Sequence, residues 1–341
     1  MQTSTRADEL SLTWPVDGIE VEGSLTRPAG PGPFPAVVMV AGSGPTDRNW
    51  NSPLIPGANG SAALLAQALA EQGFVVLRYD KRASGPHARE HVEKMAGKIS
   101  MEGHRLELAG AVRVLADRPD VDSAHIFVLA NSEGCIHALN YQVQAPPVPF
   151  AGLVLTAAPA WPIGVVARAQ IAAQVAPLPG GDALLARYDA ALADFAADRP
   201  VSIDASLPEA MRMLLLGVTA PINQPFSREL WTLDPLALLE RIDVPVLILI
   251  GQKDIQTDWQ SEGALFTALA ARRSNITVDF PADANHVLKY EPKTRAQIAP
   301  AEAAAAYNAD DAHLDAEALA TITQWLEEQA KQDAAQGNSR P

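Results

Sequence analysis

The chain has 341 residues, of which 48% are hydrophobic and 19% charged, and a formal net charge of −14. That composition excludes a disordered chain, and the negative charge speaks against nucleic acid or an anionic membrane surface as a partner. A lone cysteine, Cys135, excludes an intramolecular disulfide and a cysteine-based metal cluster.

Met1–Leu10 holds Arg6, Asp8 and Glu9 but no apolar stretch of the signal-peptide kind. No apolar run reaches the roughly 18 residues a spanning helix needs, so a cytoplasmic chain is expected. Leu10–Leu25 reads as a hairpin turned at Asp17-Gly18, a favoured two-residue turn. After the loop Pro28–Pro35 come continuous apolar runs, as expected of strands buried on both faces: Ala36–Ala41, Phe74–Tyr79, Ile126–Ala130, Leu153–Ala157, Val246–Ile250 and the weaker Ile276–Phe280. Between them lie helical stripes, at Leu64–Leu69 ended by Gly73 and at Leu106–Leu115, with a last one at Leu319–Leu326. This alternation predicts a mostly parallel α/β sheet flanked by helices. From Trp161 to Leu233 three helical stretches (Val165–Val175, Ala183–Ala197, Glu209–Val218) follow one another without a strand. That is too long for one crossover, so 161–233 is expected to be an inserted helical cap on a core formed by 1–160 and 234–335. From Lys331 onward the chain is polar and is expected to fray, with 336–341 a flexible tail.

The densest chemistry lies where the strand Ile126–Ala130 runs into Ala130-Asn131-Ser132-Glu133-Gly134 and then a helix. A small-x-Ser-x-Gly turn between strand and helix projects the serine above the sheet, at a helix N-terminus. Here the chain resembles the α/β-hydrolase superfamily, whose elbow usually reads G-x-S-x-G. Ala130 stands in place of the first glycine, and Cys135 where relatives often carry another. The resemblance implies the chain order Ser, acid, His. Asp254 follows the strand Val246–Ile250 in Gly251-Gln-Lys-Asp254, the usual acid position, with Asp258 as a competitor. His286 follows the last strand, in the loop where the superfamily carries its base. Of the other histidines, His125 precedes a strand and His137 lies inside the post-elbow helix. His87, His91 and His104 fall in or beside a long loop and are expected to be solvated.

Acyl transfer needs two backbone N–H groups facing the developing oxyanion. Glu133 is the expected first donor. The second should lie after Ala36–Ala41 in Gly42-Ser-Gly-Pro-Thr-Asp-Arg48, at Ser43 with Gly44 as the alternative. That string resembles a bacterial subgroup near the serine-aminopeptidase and dienelactone-hydrolase branches. An Asp47–Arg48 ion pair is expected to shape this loop, with a carboxylate on the substrate as the weaker alternative partner for Arg48. Gly44, Trp50, Trp161, Met211 and Trp231 are the expected substrate contacts. The reading is a serine esterase cleaving small-molecule carboxylic esters through Ser132, His286 and Asp254, with no cofactor and no metal. A proline-type aminopeptidase, an acyltransferase or a thioesterase could use the same three residues, and a ligand-binding protein on an inactive scaffold is the non-enzymatic alternative. No sequence signal sets the oligomeric state.

Overall fold

Asp17 and Gly18 both adopt positive φ, 51° and 78°, as a tight hairpin turn requires. They join β1 (Asp8–Val16) to β2 (Ile19–Arg27) in antiparallel register. In the computed structural model, which describes residues 8–299, 306–309 and 311–337, this hairpin forms one edge of an eight-stranded sheet. The other strands are β3 (Phe34–Val40), β4 (Val75–Tyr79), β5 (Val121–Asn131), β6 (Gly152–Thr156), β7 (Val246–Leu249) and β8 (Ile276–Asp279). The order is β1-β2-β4-β3-β5-β6-β7-β8, and every pair from β4 to β8 is parallel. The apolar runs read from the sequence are these parallel strands.

Before β7 the helices are α1 (Ser61–Glu71), α2 (Ala88–Met95), α3 (Met101–Ala116), α4 (Glu133–Gln142), α5 (Ile163–Val175), α6 (Gly181–Ala196), α7 (Glu209–Thr219), α8 (Phe226–Thr232) and α9 (Pro235–Leu239). After it come α10 (Ser261–Ala270) and α11 (Ala316–Gly337). Period-two alternation along the strands divides the core into two layers. Val38 and Val40 of β3 pack with Leu108 and Val112 of α3, Ile136 of α4 and Phe266 of α10. Val37 and Met39 pack on the opposite face with Leu65 and Leu69 of α1 and Ile322 and Leu326 of α11. Both faces of the sheet are therefore covered.

α5, α6 and α7 carry an apolar cluster of their own, built around Ile171, Tyr188, Met211 and Leu215. α8 ties this segment to the sheet layer: the Glu229 carboxylate accepts the Met101 N–H at 2.7 Å, at the N-terminus of α3, and Phe226 N–H donates to Ile99 O at 2.8 Å. No described helix is long and apolar enough to cross a membrane.

Two expectations are corrected. His91 and His104 are buried rather than solvated, because residues 88–95 form α2, which no apolar stripe marks, and α3 begins at Met101, ahead of the stripe that starts at Leu106. Polarity predicts fraying from Lys331, yet α11 continues to Gly337. Residues 338–341 of the expected tail, like Met1–Ala7 of the N-terminal segment, lie outside the described residues.

Candidate active site

Parallel register aligns the ends of β3, β5, β6 and β7: Val40 pairs with Ala130, Asn131 with Thr156, and Thr156 with Leu249. The loops that follow these strands therefore open on one edge of the sheet, the usual ligand side of such folds. Ser132 sits there between β5 and α4 with φ 55° and ψ −125°, a strained conformation rare for a residue with a side chain. Two glycines let the backbone close around it. A Cβ on Gly134 would lie 2.6 Å from Val40 O and 2.7 Å from Ala41 O, so α4 starts hard against the end of β3. A Cβ on Gly42 would lie 3.2 Å from Ser132 Cβ, so the loop after β3 passes directly over the serine. Ala130 is fully buried in β5. The Cys135 thiol donates to the carbonyls of Ala130 and Thr156 at 3.4 Å each, and burial pushes its pKa well above the ordinary thiol range.

Asp254 is fully buried. Its Oδ1 accepts the N–H groups of Gln256 at 2.7 Å and Thr257 at 3.0 Å, and its Oδ2 accepts His286 Nδ1–H at 2.8 Å. A carboxylate only accepts, so the Nδ1 proton is fixed there and Nε2 is left as the basic nitrogen. Asp258, the competitor, instead accepts the Gln260 N–H at 2.9 Å and faces Arg295 at 3.6 Å. Asn131, next to the serine, donates from Nδ2 to His286 O at 3.0 Å and to Thr156 Oγ1 at 3.1 Å. This amide staples the histidine loop to the elbow; sequence reading did not single it out.

Ser132 and His286 line one cavity of about 320 Å³, together with Ser43, Gly44, Trp50 and Tyr307. Among the described residues, no protein carbonyl accepts the N–H of Ser43 or Glu133. Thr46 Oγ1 donates to Ser43 O at 2.7 Å and so shapes the loop that carries Ser43. A second cavity, of about 370 Å³, shares Gly44 and is walled by Glu133, His104, Val92, Ile99, Ile222 and Phe226. The sequence reading missed these four apolar residues because they come from α2 and α8 and the turns beside them, which carry weak periodic signals.

A mostly buried polar cluster borders the second cavity, whose wall also includes Lys81 and Arg82. Lys81 Nζ donates to Gly42 O and lies 3.4 Å from Glu133 Oε1, which also accepts from His137 Nε2 at 3.2 Å. Burial opposes the Glu133 charge, but Lys81 and His137 outweigh it and hold the carboxyl well below its ordinary range. His104 stacks on His137 with ring centroids 4.5 Å apart, and burial and that neighbour keep its pKa well below normal. Arg82 Nε donates to Glu107 at 2.8 Å.

The expected Asp47–Arg48 ion pair is corrected. Asp47 Oδ1 accepts the N–H groups of Asn49 and Asn51 at 2.8 and 2.9 Å. Arg48 turns away to Asp80 Oδ2 at 2.5 Å and Glu22 at 2.9 Å. Of the five expected substrate contacts, Gly44 and Trp50 line the serine's cavity. The other three sit elsewhere. Met211 is buried in the separate core of α5–α7, Trp231 packs against Gly164, and Trp161 is 40% exposed; none is on the wall of either cavity.

The sheet order, the positive-φ serine and the Asp254–His286 bond coincide with the sequence match. Residues 37–321 match the alpha/beta hydrolase family. The chain belongs to that family. This α/β-hydrolase is 26% identical over 281 residues to Esterase EstD of Thermotoga maritima, an alignment covering 78% of this chain and 57% of the relative. It thus spans little more than half of that curated relative. Among solved structures, an esterase of Pyrococcus furiosus superposes with a TM-score of 0.54 at 15% identity, covering 95% of this chain and 91% of the other. The proline iminopeptidase of Mycobacterium smegmatis gives 0.52 at 18% identity, with 94% and 98% covered. The dienelactone hydrolase of Anabaena variabilis gives 0.51 at 13%, with 95% and 98% covered. These three likenesses are likenesses of fold.

Proposed function

We propose that this α/β-hydrolase is a serine esterase that cleaves small-molecule carboxylic esters through an acyl-enzyme. The observation that carries the reading is the His286 imidazole, bonded through Nδ1 to buried Asp254 and lining the cavity that holds the strained Ser132. In this account Nε2 takes the Ser132 Oγ proton as oxygen attacks the ester carbonyl. Asp254 holds the tautomer and stabilises the imidazolium, and the N–H groups of Ser43 and Glu133 receive the oxyanion. The imidazolium protonates the departing alcohol. Water, deprotonated by the same nitrogen, then releases the acid and restores the serine.

In this reading residues 161–233 act as a cap, and α8 at its end contributes one wall of the 370 Å³ cavity. The apolar side chains there suit a hydrocarbon acyl group, while the serine's own cavity takes the alcohol. The Thermotoga relative, named as an esterase, supports an ester over an amide. The test is a p-nitrophenyl ester series of increasing acyl length beside an amino-acyl amide, with wild type and Ser132→Ala. Ester turnover that vanishes in Ser132→Ala is expected. Faster amide than ester cleavage would overturn the choice of esterase, and equal turnover in Ser132→Ala would overturn the mechanism.

A further inference from the structure

We propose that Lys81 is a positioning residue that sets both oxyanion donors at once. The inference rests on the reading that the N–H groups of Ser43 and Glu133 are those donors. Lys81 follows β4, not the elbow, and is almost wholly buried. Its ammonium donates to Gly42 O and meets Glu133 Oε1 at 3.4 Å.

The first contact fixes a direction. Gly42 O and the Ser43 N–H belong to one planar trans peptide, whose C=O and N–H point opposite ways. Holding the carbonyl therefore aims the N–H away from the lysine. Gly42 packs against Ser132 Cβ, so this peptide flanks the nucleophile. A cation on the carbonyl also polarises the amide and strengthens its N–H as a donor.

The second contact removes a liability. Glu133 supplies the other N–H in that reading, yet the same residue, next in the chain to the nucleophile, carries a buried carboxylate. Unpaired, that anion would oppose the oxyanion in a region of weak screening. Lys81, at 3.4 Å, and His137, at 3.2 Å, both pair with it. One ammonium thus orients one donor and neutralises the residue that bears the other.

The test compares Lys81→Met, Lys81→Gln and Lys81→Arg in the full chain, with Ser132→Ala alongside. The readouts are kcat and KM on a short p-nitrophenyl ester and the affinity of an alkyl boronic acid, which adds to a serine as a tetrahedral anion. Loss of one oxyanion donor costs roughly 10²–10³ in kcat; loss of its support in Lys81→Met should cost about 10–100-fold, with KM within about threefold. Boronate affinity should fall in the same proportion as kcat/KM across the variants, with Arg the least affected. A merely structural lysine would lower the unfolding temperature without that proportionality. If Lys81→Met does not fold, Lys81→Gln carries the same expectation. A folded neutral variant with kcat and boronate affinity within twofold of wild type would overturn the proposal, as would a raised KM at unchanged kcat. Turnover surviving in Ser132→Ala would instead refute the underlying reading, and the proposal with it.

Discussion

Replacing Asp254 by Asn changes one atom at the centre of the site and little else. Oδ1 would keep the Gln256 and Thr257 N–H groups it now holds at 2.7 and 3.0 Å, so the loop keeps its shape. The amide nitrogen would take the place of Oδ2, now 2.8 Å from His286 Nδ1. An N–H there needs an acceptor, so Nδ1 must give up its proton and Nε2 must carry it. In that tautomer the ring cannot take the Ser132 proton. In triads of this kind the wrong tautomer costs about 10⁴ in kcat, and at about 1.4 kcal/mol per decade this is about 5.5 kcal/mol of transition-state stabilisation. Initial rates on a p-nitrophenyl ester give kcat, and a thermal melt checks the fold. Asp258→Asn, which touches only the Gln260 N–H and Arg295, should stay within about threefold of wild type. A folded Asp254→Asn enzyme retaining more than a tenth of wild-type kcat would refute the assignment of acid and base.

Three other outcomes follow from the geometry. Filling the apolar cavity with Ile222→Trp should depress turnover of long acyl esters far more than of acetate, and Phe226→Ala should shift the optimum to longer chains; an unchanged chain-length profile in both would remove the acyl group from that cavity. Gly134→Ala, whose Cβ would press on the carbonyls of Val40 and Ala41, should destabilise the fold by about 1–3 kcal/mol, read as a lower denaturant midpoint, and should reduce kcat as the elbow shifts. Burial and His137 depress the His104 pKa below its ordinary 6.5, so the unfolded chain binds the proton first. This residue's contribution to stability is therefore present above about pH 6.5 and is lost as pH falls below it, at up to about 1.4 kcal/mol per pH unit. The unfolding free energy of His104→Gln should fall less steeply between pH 7 and 5 than that of the wild type; parallel curves would contradict the depressed pKa.

The sheet was legible because its strands are buried on both faces and so read as nearly continuous apolar runs, from Ala36 through Ile250, with Arg78 the one charge among them. The hairpin was legible because Asp17-Gly18 admits few other conformations. Ser132, Asp254 and His286 could be proposed together because each lies in the loop beyond a parallel strand, and parallel strands end on one edge. What escaped depends on contacts distant in sequence. Arg48 lies beside Asp47 in the chain, yet the Asp47 carboxylate is taken up by the backbone N–H groups of Asn49 and Asn51, and the guanidinium turns to Asp80, 32 residues on. His104 reads as loop because the apolar stripe of α3 starts only at Leu106. Extended one turn back, His104, Leu108, Ala111 and Leu115 share the buried face of α3, with Ser100 as the N-cap. Met211 has a fitting character for a substrate pocket, but its spacing from Leu215 places both on the inward stripe of α7. Apolar side chains alone do not distinguish the wall of a cavity from the interior of a helical cluster. Asn131 and Lys81 were overlooked because their partners, His286 O and Gly42 O, are backbone atoms, which leave no mark in a side-chain pattern.

Covalent capture of the nucleophile probes the central claim without reference to any chosen substrate. The intact protein would be treated with a fluorophosphonate, digested, and the modified peptide located by mass spectrometry. A single adduct on Ser132, lost in Ser132→Ala and much slowed in His286→Ala, is the predicted result. No adduct on a folded protein, or an adduct on a different side chain, would contradict the account.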